Sequence, residues 1–153
     1  MTNLFFEVRN SSIHGFGGFA TQHILKGTRI IEYIGERITS EEGDRRYSDD
    51  PSEHPHVLLF TLDKHTVIDA GVGGNEARFI NHSCEPNCKS VTVRKRVYIE
   101  AIKNIAAGEE LTYDYNLTRD GTDDAEMEKR YACHCGAKTC RGTMLAPRKE
   151  KGK

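Results

Sequence analysis

The segment from Arg78 to Cys88 holds the densest group of chemically active side chains in the chain. It places a guanidinium, an imidazole, a hydroxyl, two thiols and side-chain amides among only two large apolar residues. Pro86 and the asparagines predict a tightly turned segment rather than a regular helix or strand. Because buried polar groups are costly unless each has a partner, this density indicates a built site rather than a plain connection.

The cysteines form two groups, which are Cys84 and Cys88, then Cys133, Cys135 and Cys140. An odd number argues against a secreted disulfide framework, and clustered thiols in a reducing compartment more often bind metal. Gly136 would let the backbone fold back so that several sulfurs face one ion. Three downstream thiolates leave one position of a tetrahedral zinc site open, which Cys84 or Cys88 can fill. We therefore predict structural zinc, with five ordinary reduced cysteines, or His134 as a ligand, as less favoured alternatives.

Two tyrosines, Tyr113 and Tyr115, stand two residues apart and should share one face of a strand. Such a pair usually packs in a core or across strands. Phenols can instead line a narrow polar channel with directed hydroxyls. Tyr33 is a candidate third wall, and the residues alone leave both roles open.

A run of glycines at His14–Gly18 has part of the pattern of a nucleotide-binding loop. The spacing of a third glycine is missing and no βαβ unit follows, so a dinucleotide-binding fold is not favoured. A hairpin turn is the simpler interpretation, although adjacent glycines also let a backbone approach a ligand closely.

Short strands separated by glycine-rich turns must position these residues. A capping-box pattern at Thr39–Glu42 predicts a short helix through Tyr47. A second short helix is predicted around 125–130. Alternating apolar residues predict strands at 4–9, 29–34, 57–63, 66–70, 90–93, 97–101 and 111–115, the fifth and sixth being joined by a hairpin turn at 94–95. This pattern predicts a mainly β domain.

The bulk composition excludes several classes of protein. The 153 residues suit one domain with a real core. The 22 basic and 23 acidic residues give a net charge of -1, so no global field favours nucleic acid or membrane. The longest apolar run, 57–60, is too short for a transmembrane helix, and no signal-peptide pattern opens the chain. We expect an intracellular protein.

Taken together and in this order, three motifs resemble the SET-domain protein lysine methyltransferases that carry a post-SET zinc segment. The motifs are Asn81–Cys88, Gly108–Tyr115 and the Cys133, Cys135 and Cys140 cluster. The turn at 15–17, the Tyr33 segment and 68–70 also fit, so the resemblance covers about residues 4–145.

The resemblance implies a fold of small curved sheets, with the central turn threaded through a loop as a pseudoknot. It implies S-adenosylmethionine as cofactor, with binding residues Gly15, Phe16, Gly17, Arg78, Asn81 and His82. It assigns Tyr115 to catalysis, Tyr33 and Tyr113 to the walls of the lysine channel, and zinc to Cys84, Cys133, Cys135 and Cys140. Cys88 is then not a ligand. A tyrosine at the position of Tyr113 accompanies mono- or dimethylation in the family.

The implied organisation is a SET domain at 1–116 with a variable insert at about 40–56. A charged connector at 117–131, a post-SET zinc segment at 132–147 and a basic tail at 148–153 follow. Three residues depart from the family pattern. Phe16 replaces a frequent tryptophan, Leu58 a tyrosine near the cofactor, and Thr143 an aromatic residue after the last cysteine.

The function implied is methyl transfer from S-adenosylmethionine to the ε-amine of a protein lysine, in a histone tail or another basic protein. A catalytically weak SET-like module that binds peptides is the alternative, slightly favoured by Leu58 and Thr143. A zinc-stabilised nucleic-acid module has support only from the basic residues at 94–96 and the tail. We expect a monomer with no membrane or nucleic-acid partner, cytoplasmic if prokaryotic and nuclear if eukaryotic.

Overall fold

The computed structural model describes residues 5–13, 15–47, 59–115 and 140. Within them the protein is mainly β, as predicted. The strands are β1 (Phe6–Asn10), β2 (Phe16–Ala20), β3 (Arg29–Tyr33), β4 (Glu36–Thr39), β5 (Leu59–Thr61), β6 (Thr66–Asp69), β7 (Asn81–His82), β8 (Cys88–Val93), β9 (Arg96–Ala101) and β10 (Glu110–Tyr113). One α-helix, α1 (Ser40–Tyr47), and a 3-10 helix (Glu76–Phe79) accompany them. The helix predicted at 125–130 lies outside the described residues.

The strands form two sheets. The larger sheet has the order β1-β2-β10-β8-β9-β3, and β7 also pairs with β10. The smaller sheet has the order β4-β6-β5, with both pairs antiparallel.

The hairpin β8–β9 is the longest antiparallel pair, running from Cys88 opposite Ala101 to Val93 opposite Arg96. Its turn is formed by Arg94 and Lys95, with φ of 50° and 65°. Two successive left-handed residues match the right-handed twist of the strands, so the predicted hairpin and its turn are confirmed.

Strand β10 brings distant parts of the chain together. It pairs antiparallel with β2 and parallel with both β7 and β8. Tyr113 of β10 is therefore in register with His82 of β7 and with Cys88 of β8. The turned segment 78–88 thus contributes the two-residue strand β7. Its last residue, Cys88, is the first residue of the longer strand β8.

The main hydrophobic core lies against the larger sheet and contains Ile24, Ile80, Ile99, Ile105 and Leu111, all at most 1% exposed. A second cluster surrounds Tyr33 and includes Ile68, Ala77 and Val97. Burial of these aliphatic side chains is the main favourable contribution to folding. Tyr33, which the sequence predicts to line the channel, therefore belongs to the second cluster. Strand β10 contributes Leu111 and Tyr113 to the main core.

Helix α1 begins as the capping box predicts, because the Thr39 hydroxyl accepts the backbone N–H of Glu42 at 3.0 Å. Its last turn is fixed to the smaller sheet by Arg46, whose guanidinium donates to Glu36, Glu42 and Asp69. The Asp69 carboxylate is fully buried. The helix is thus held to the sheet by charge as well as by packing.

The predicted hairpin turn is present, because β1 and β2 pair antiparallel with Asn10 opposite Phe16 and the Ser11 N–H donates to the Gly15 carbonyl between them. The glycine run extends beyond this turn, since Phe16, Gly17 and Gly18 already belong to β2. A glycine suits this position of the strand because a Cβ on Gly18 would contact the Phe6 ring.

Among the described residues no helix is long and apolar enough to span a membrane.

Candidate active site

Three tyrosines and a histidine converge where β10 ends. The rings of Tyr113 and Tyr115 lie 4.9 Å apart between centroids, and the His82 ring lies 5.3 Å from Tyr115 in an edge-to-face arrangement. Tyr113 and Tyr33 are almost fully buried, at 4% and 3% exposure. The predicted proximity of Tyr113 and Tyr115 is confirmed, although the strand ends at Tyr113 and Tyr115 follows it.

Burial raises the pKa of both phenols on this strand. The pKa of Tyr115 is raised by loss of solvation and then by the neighbouring Tyr33 and Glu110. The pKa of Tyr113 is likewise raised, first by burial and then by Tyr115 and Tyr33. Since Tyr33 acts on both, the three phenols share one environment, and Tyr113 and Tyr115 stay protonated at neutral pH.

The hydroxyl of Tyr115 has a fixed direction. It donates to the carbonyl of Ile80 at 2.5 Å. Because the proton points at Ile80, the lone pairs of the oxygen are directed elsewhere and can accept a hydrogen bond from an amine. Tyr115 can therefore orient a nucleophile but is unsuited to removing its proton.

Asn81 joins three segments of the chain. Its side-chain nitrogen donates to the carbonyl of Phe16 and to a carboxylate oxygen of Glu110, both at 2.9 Å. The hydroxyl of Ser11 lies 2.8 Å from each oxygen of the same carboxylate. A Cβ on Gly17 would overlap this carboxylate, so the glycine leaves room for the Glu110 side chain where Asn81 and Ser11 hold it. The amide of Asn81 thus uses both donors inside the protein.

The remaining predicted cofactor residues lie at the edge of the same region. Phe16 is 49% exposed and meets Phe79 edge to face at 6.1 Å. The guanidinium of Arg78 lies 4.7 Å from the centre of the Phe79 ring. Gly15 has a left-handed φ of 43° at the entrance to β2. An exposed aromatic ring and a cation beside buried polar groups suit a ligand that is both flat and polar.

His82 is buried, and each ring nitrogen has a partner. Nδ1 accepts the backbone N–H of Tyr115 at 3.0 Å, and Nε2 lies 3.4 Å from the sulfur of Cys84. The carboxylate of Asp114 is 3.6 Å from Nδ1. The side chain predicted to bind the cofactor therefore connects the strand end to the predicted metal site.

The sulfurs of Cys84 and Cys140 are 3.9 Å apart, although 56 residues separate them in sequence. A disulfide would need about 2 Å. Two thiolates on a tetrahedral zinc, at about 2.3 Å each, would be separated by roughly 3.8 Å. The pair thus fits metal ligation.

The rest of the predicted zinc site is outside the described residues, because Cys133 and Cys135 are not among them. No group of three or more metal-binding side chains occurs within the described part of the chain. Cys88 is 1% exposed in the core, and burial raises the pKa of its thiol to about 12. A thiol so strongly protonated is a poor ligand, which agrees with its predicted exclusion from the site.

Sequence reasoning missed the supporting residues. Glu110 fixes Asn81 and is itself held by Ser11, and Ile80 fixes Tyr115 through its carbonyl. Asn87, interpreted only as a turn residue, donates to the Glu110 carbonyl and accepts the Thr112 N–H, both at 2.9 Å. The one available signal was the rule that buried polar groups need partners, which could not name partners so distant in sequence.

A β-rich fold whose late strand brings two tyrosines beside the short Asn81–His82 strand matches the expected SET domain. The chain belongs to the SET domain family, whose sequence model matches residues 15–116. That span begins at the glycine run and ends one residue after Tyr115.

Three similar proteins are all named as histone-lysine N-methyltransferases. Over 141 residues the chain is 43% identical to a Saccharomyces cerevisiae protein named histone-lysine N-methyltransferase, H3 lysine-4 specific. It is 42% identical over 138 residues to the histone-lysine N-methyltransferase trithorax of Drosophila virilis. It is 41% identical over 149 residues to the putative histone-lysine N-methyltransferase 1 of Plasmodium falciparum.

These alignments cover most of this chain but little of the relatives. They include 88%, 88% and 94% of the chain, respectively, and only 12%, 3% and 2% of the three relatives. The chain thus corresponds to one region of each much longer protein.

Proposed function

We propose that this chain is a protein-lysine methyltransferase that uses S-adenosylmethionine. The observation that carries the proposal is the Tyr115 hydroxyl, fixed on the Ile80 carbonyl beside the buried phenols of Tyr33 and Tyr113. Membership of the SET domain family and the names of its relatives agree with this activity.

The tyrosines would act by positioning. The substrate amine must be neutral and in line with the bond that breaks, and correct placement supplies much of the rate. The cofactor supplies a methyl group on a cationic sulfonium. An aromatic channel formed by Tyr33, Tyr113 and Tyr115 would desolvate the lysine and favour its neutral form. The Tyr115 oxygen would accept an N–H of the amine and so orient the lone pair of the nitrogen.

The cofactor would be bound by the predicted set, which is Gly15, Phe16, Gly17, Arg78, Asn81 and His82. The exposed ring of Phe16 and the cation of Arg78 support this assignment. Because the amide nitrogen of Asn81 is already used inside the protein, we expect that residue to contribute through other polar groups.

A structural zinc would be held by Cys84, Cys133, Cys135 and Cys140. The separation of Cys84 and Cys140 supports it. Four thiolates leave no open coordination position, so the metal would stabilise the C-terminal segment rather than take part in the reaction. The division into a SET domain at 1–116, a connector at 117–131, a post-SET segment at 132–147 and a tail at 148–153 belongs to the same proposal.

The proposed substrate is a protein lysine, and a histone is the first candidate. This choice follows the three relatives, all of which are named for histone lysine and one of them for lysine 4 of H3. A nuclear location in a eukaryote would follow from a histone substrate. A monomeric state remains part of the proposal.

The test is incubation with labelled S-adenosylmethionine and histone H3, followed by mass mapping of the modified lysine. Tyr115→Phe should lower kcat by about 100-fold or more, because the directed oxygen is lost, with little change in cofactor Kd. Tyr98→Phe is the matched control, since that ring stacks against Arg29 at 4.0 Å outside the tyrosine cluster. Peptide binding without methyl transfer would contradict the proposal and favour a binding module.

A further inference from the structure

His82 lies between the two halves of the site. Its side chain is 2% exposed, and its ring is enclosed by Tyr115 on one side and Cys84 on the other. The sequence places Cys84 only two residues later, whereas Tyr115 is 33 residues away. One imidazole therefore touches both a predicted metal ligand and the residue that carries the proposed chemistry.

The contact with Tyr115 fixes the tautomer of the ring. A backbone N–H can only donate, so Nδ1 accepts it at 3.0 Å, a shorter contact than the 3.6 Å to the Asp114 carboxylate, and in the neutral ring Nδ1 then carries no proton. A neutral imidazole holds its one proton on the other nitrogen. Nε2 therefore bears the hydrogen and points it at the Cys84 sulfur, 3.4 Å away.

We propose that His82 is a positioning residue that couples the zinc thiolate of Cys84 to the backbone of Tyr115. Its Nε2–H would donate to the ligand sulfur while Nδ1 holds the N–H of Tyr115. This inference rests on the zinc site proposed above. Groups that hydrogen-bond to metal ligands orient them and adjust their donor strength.

Two substitutions separate the halves of this coupling. The amide of asparagine reaches about as far as Nδ1, and that of glutamine about as far as Nε2. His82→Asn should keep an acceptor for Tyr115 but lose the donor to Cys84. His82→Gln should keep the donor and lose the acceptor.

The expected result is a crossed pattern. In competition with a chromogenic chelator, His82→Asn should bind zinc at least about tenfold more weakly than the unaltered chain, and His82→Gln within about threefold of it. Hydrogen exchange at the Tyr115 amide should instead be faster in His82→Gln, because that N–H loses its acceptor. A residue needed only for packing would weaken both properties in both variants.

The outcomes distinguish this inference from the proposals it depends on. Cys84→Ser serves as the reference for loss of a ligand. Absence of zinc from the unaltered chain would overturn the zinc site, whereas equal zinc affinity in both His82 variants would overturn only the role of His82.

A measurement on the unaltered chain covers the case in which both variants fail to fold. Long-range ¹H–¹⁵N spectra of the zinc-loaded protein should show a neutral His82 ring with its hydrogen on Nε2. A hydrogen on Nδ1 would overturn the proposal.

Discussion

The phenol of Tyr113 is buried in the tyrosine cluster at the end of β10. It is 4% exposed, and its ring packs 4.9 Å from that of Tyr115. Burial raises the pKa of Tyr113, so its hydroxyl stays neutral and can take part in hydrogen bonds both as donor and as acceptor. At this scale one oxygen atom can decide how much room a methylated amine has to rotate.

Tyr113→Phe is therefore expected to change the product rather than abolish the reaction. Removing the hydroxyl frees space and releases any water or amine that it binds, so an already methylated lysine can turn for a further transfer. A lost hydrogen bond of about 1.4 kcal/mol corresponds to roughly a tenfold rise in the ratio of higher to lower methylation states. Mass spectrometry of the substrate peptide at equal turnover measures that ratio.

The intact enzyme should correspondingly stop at mono- or dimethyllysine. Abundant trimethyllysine from the unaltered chain would show that Tyr113 does not limit the product. Tyr98→Phe should leave the product ratio unchanged, since the same atom is removed outside the cluster.

Among the elements, the smaller sheet and α1 support the segment that follows Tyr33. Gly35 passes so close to the backbone of Asp69 that a Cβ there would overlap it. Asp69 in turn accepts the N–H of Gly71 at 2.8 Å and Arg46 of α1 at 2.9 Å. Asp69 thus ties the sheet to the helix through its buried carboxylate, while its backbone packs against the segment that follows β3.

Asp69→Asn should lower the free energy of unfolding by about 2 kcal/mol, because a hydrogen bond between charged groups is replaced by a weaker one at a buried position. Urea unfolding measures the change.

Arg46→Ala should shift the urea midpoint in the same direction. Arg45→Ala is the matched control, since that side chain is 74% exposed and pairs with Glu42 along the helix surface. Equal midpoints for the two arginine variants would show that the buried carboxylate does not hold the helix.

At the scale of the whole molecule, Cys140 contacts a residue of the central segment, although the two lie far apart in the chain. Cys140 meets Cys84 across the fold. Cys88, four residues after Cys84, instead begins β8 inside the core and pairs with Ala101. The two upstream cysteines therefore have different roles, one at the predicted metal site and one in packing.

Cys84→Ser should lose zinc and methyl transfer together, because three thiolates no longer close the tetrahedron. Cys88→Ala should keep one equivalent of zinc and its activity, at a cost of about 1 kcal/mol for the small cavity. Metal analysis after passage over a chelating resin, with unfolding curves for both variants, measures these effects. Zinc loss in Cys88→Ala but not in Cys84→Ser would reverse the assignment.

The sequence by itself determined the local elements and the residue types of the site. The Thr39 capping box, the 94–95 hairpin turn and the two-residue spacing of Tyr113 and Tyr115 depend on neighbours along the chain. The order of the motifs was specific enough to indicate the SET domain family. Within the sequence, only that resemblance distinguished the predicted ligand Cys84 from the predicted non-ligand Cys88.

Tertiary structure alone decided which distant groups meet. The pairing of β10 with β7 turns His82 toward Tyr115 and Cys84, and the approach of β2 sets Ser11, Phe16 and Glu110 around Asn81. Apart from His82 and Cys84, which are two positions apart, these contacts join residues 29 to 99 positions apart. Patterns in a sequence report short-range geometry, whereas such partners are fixed by how the sheets pack, which is a property of the whole chain.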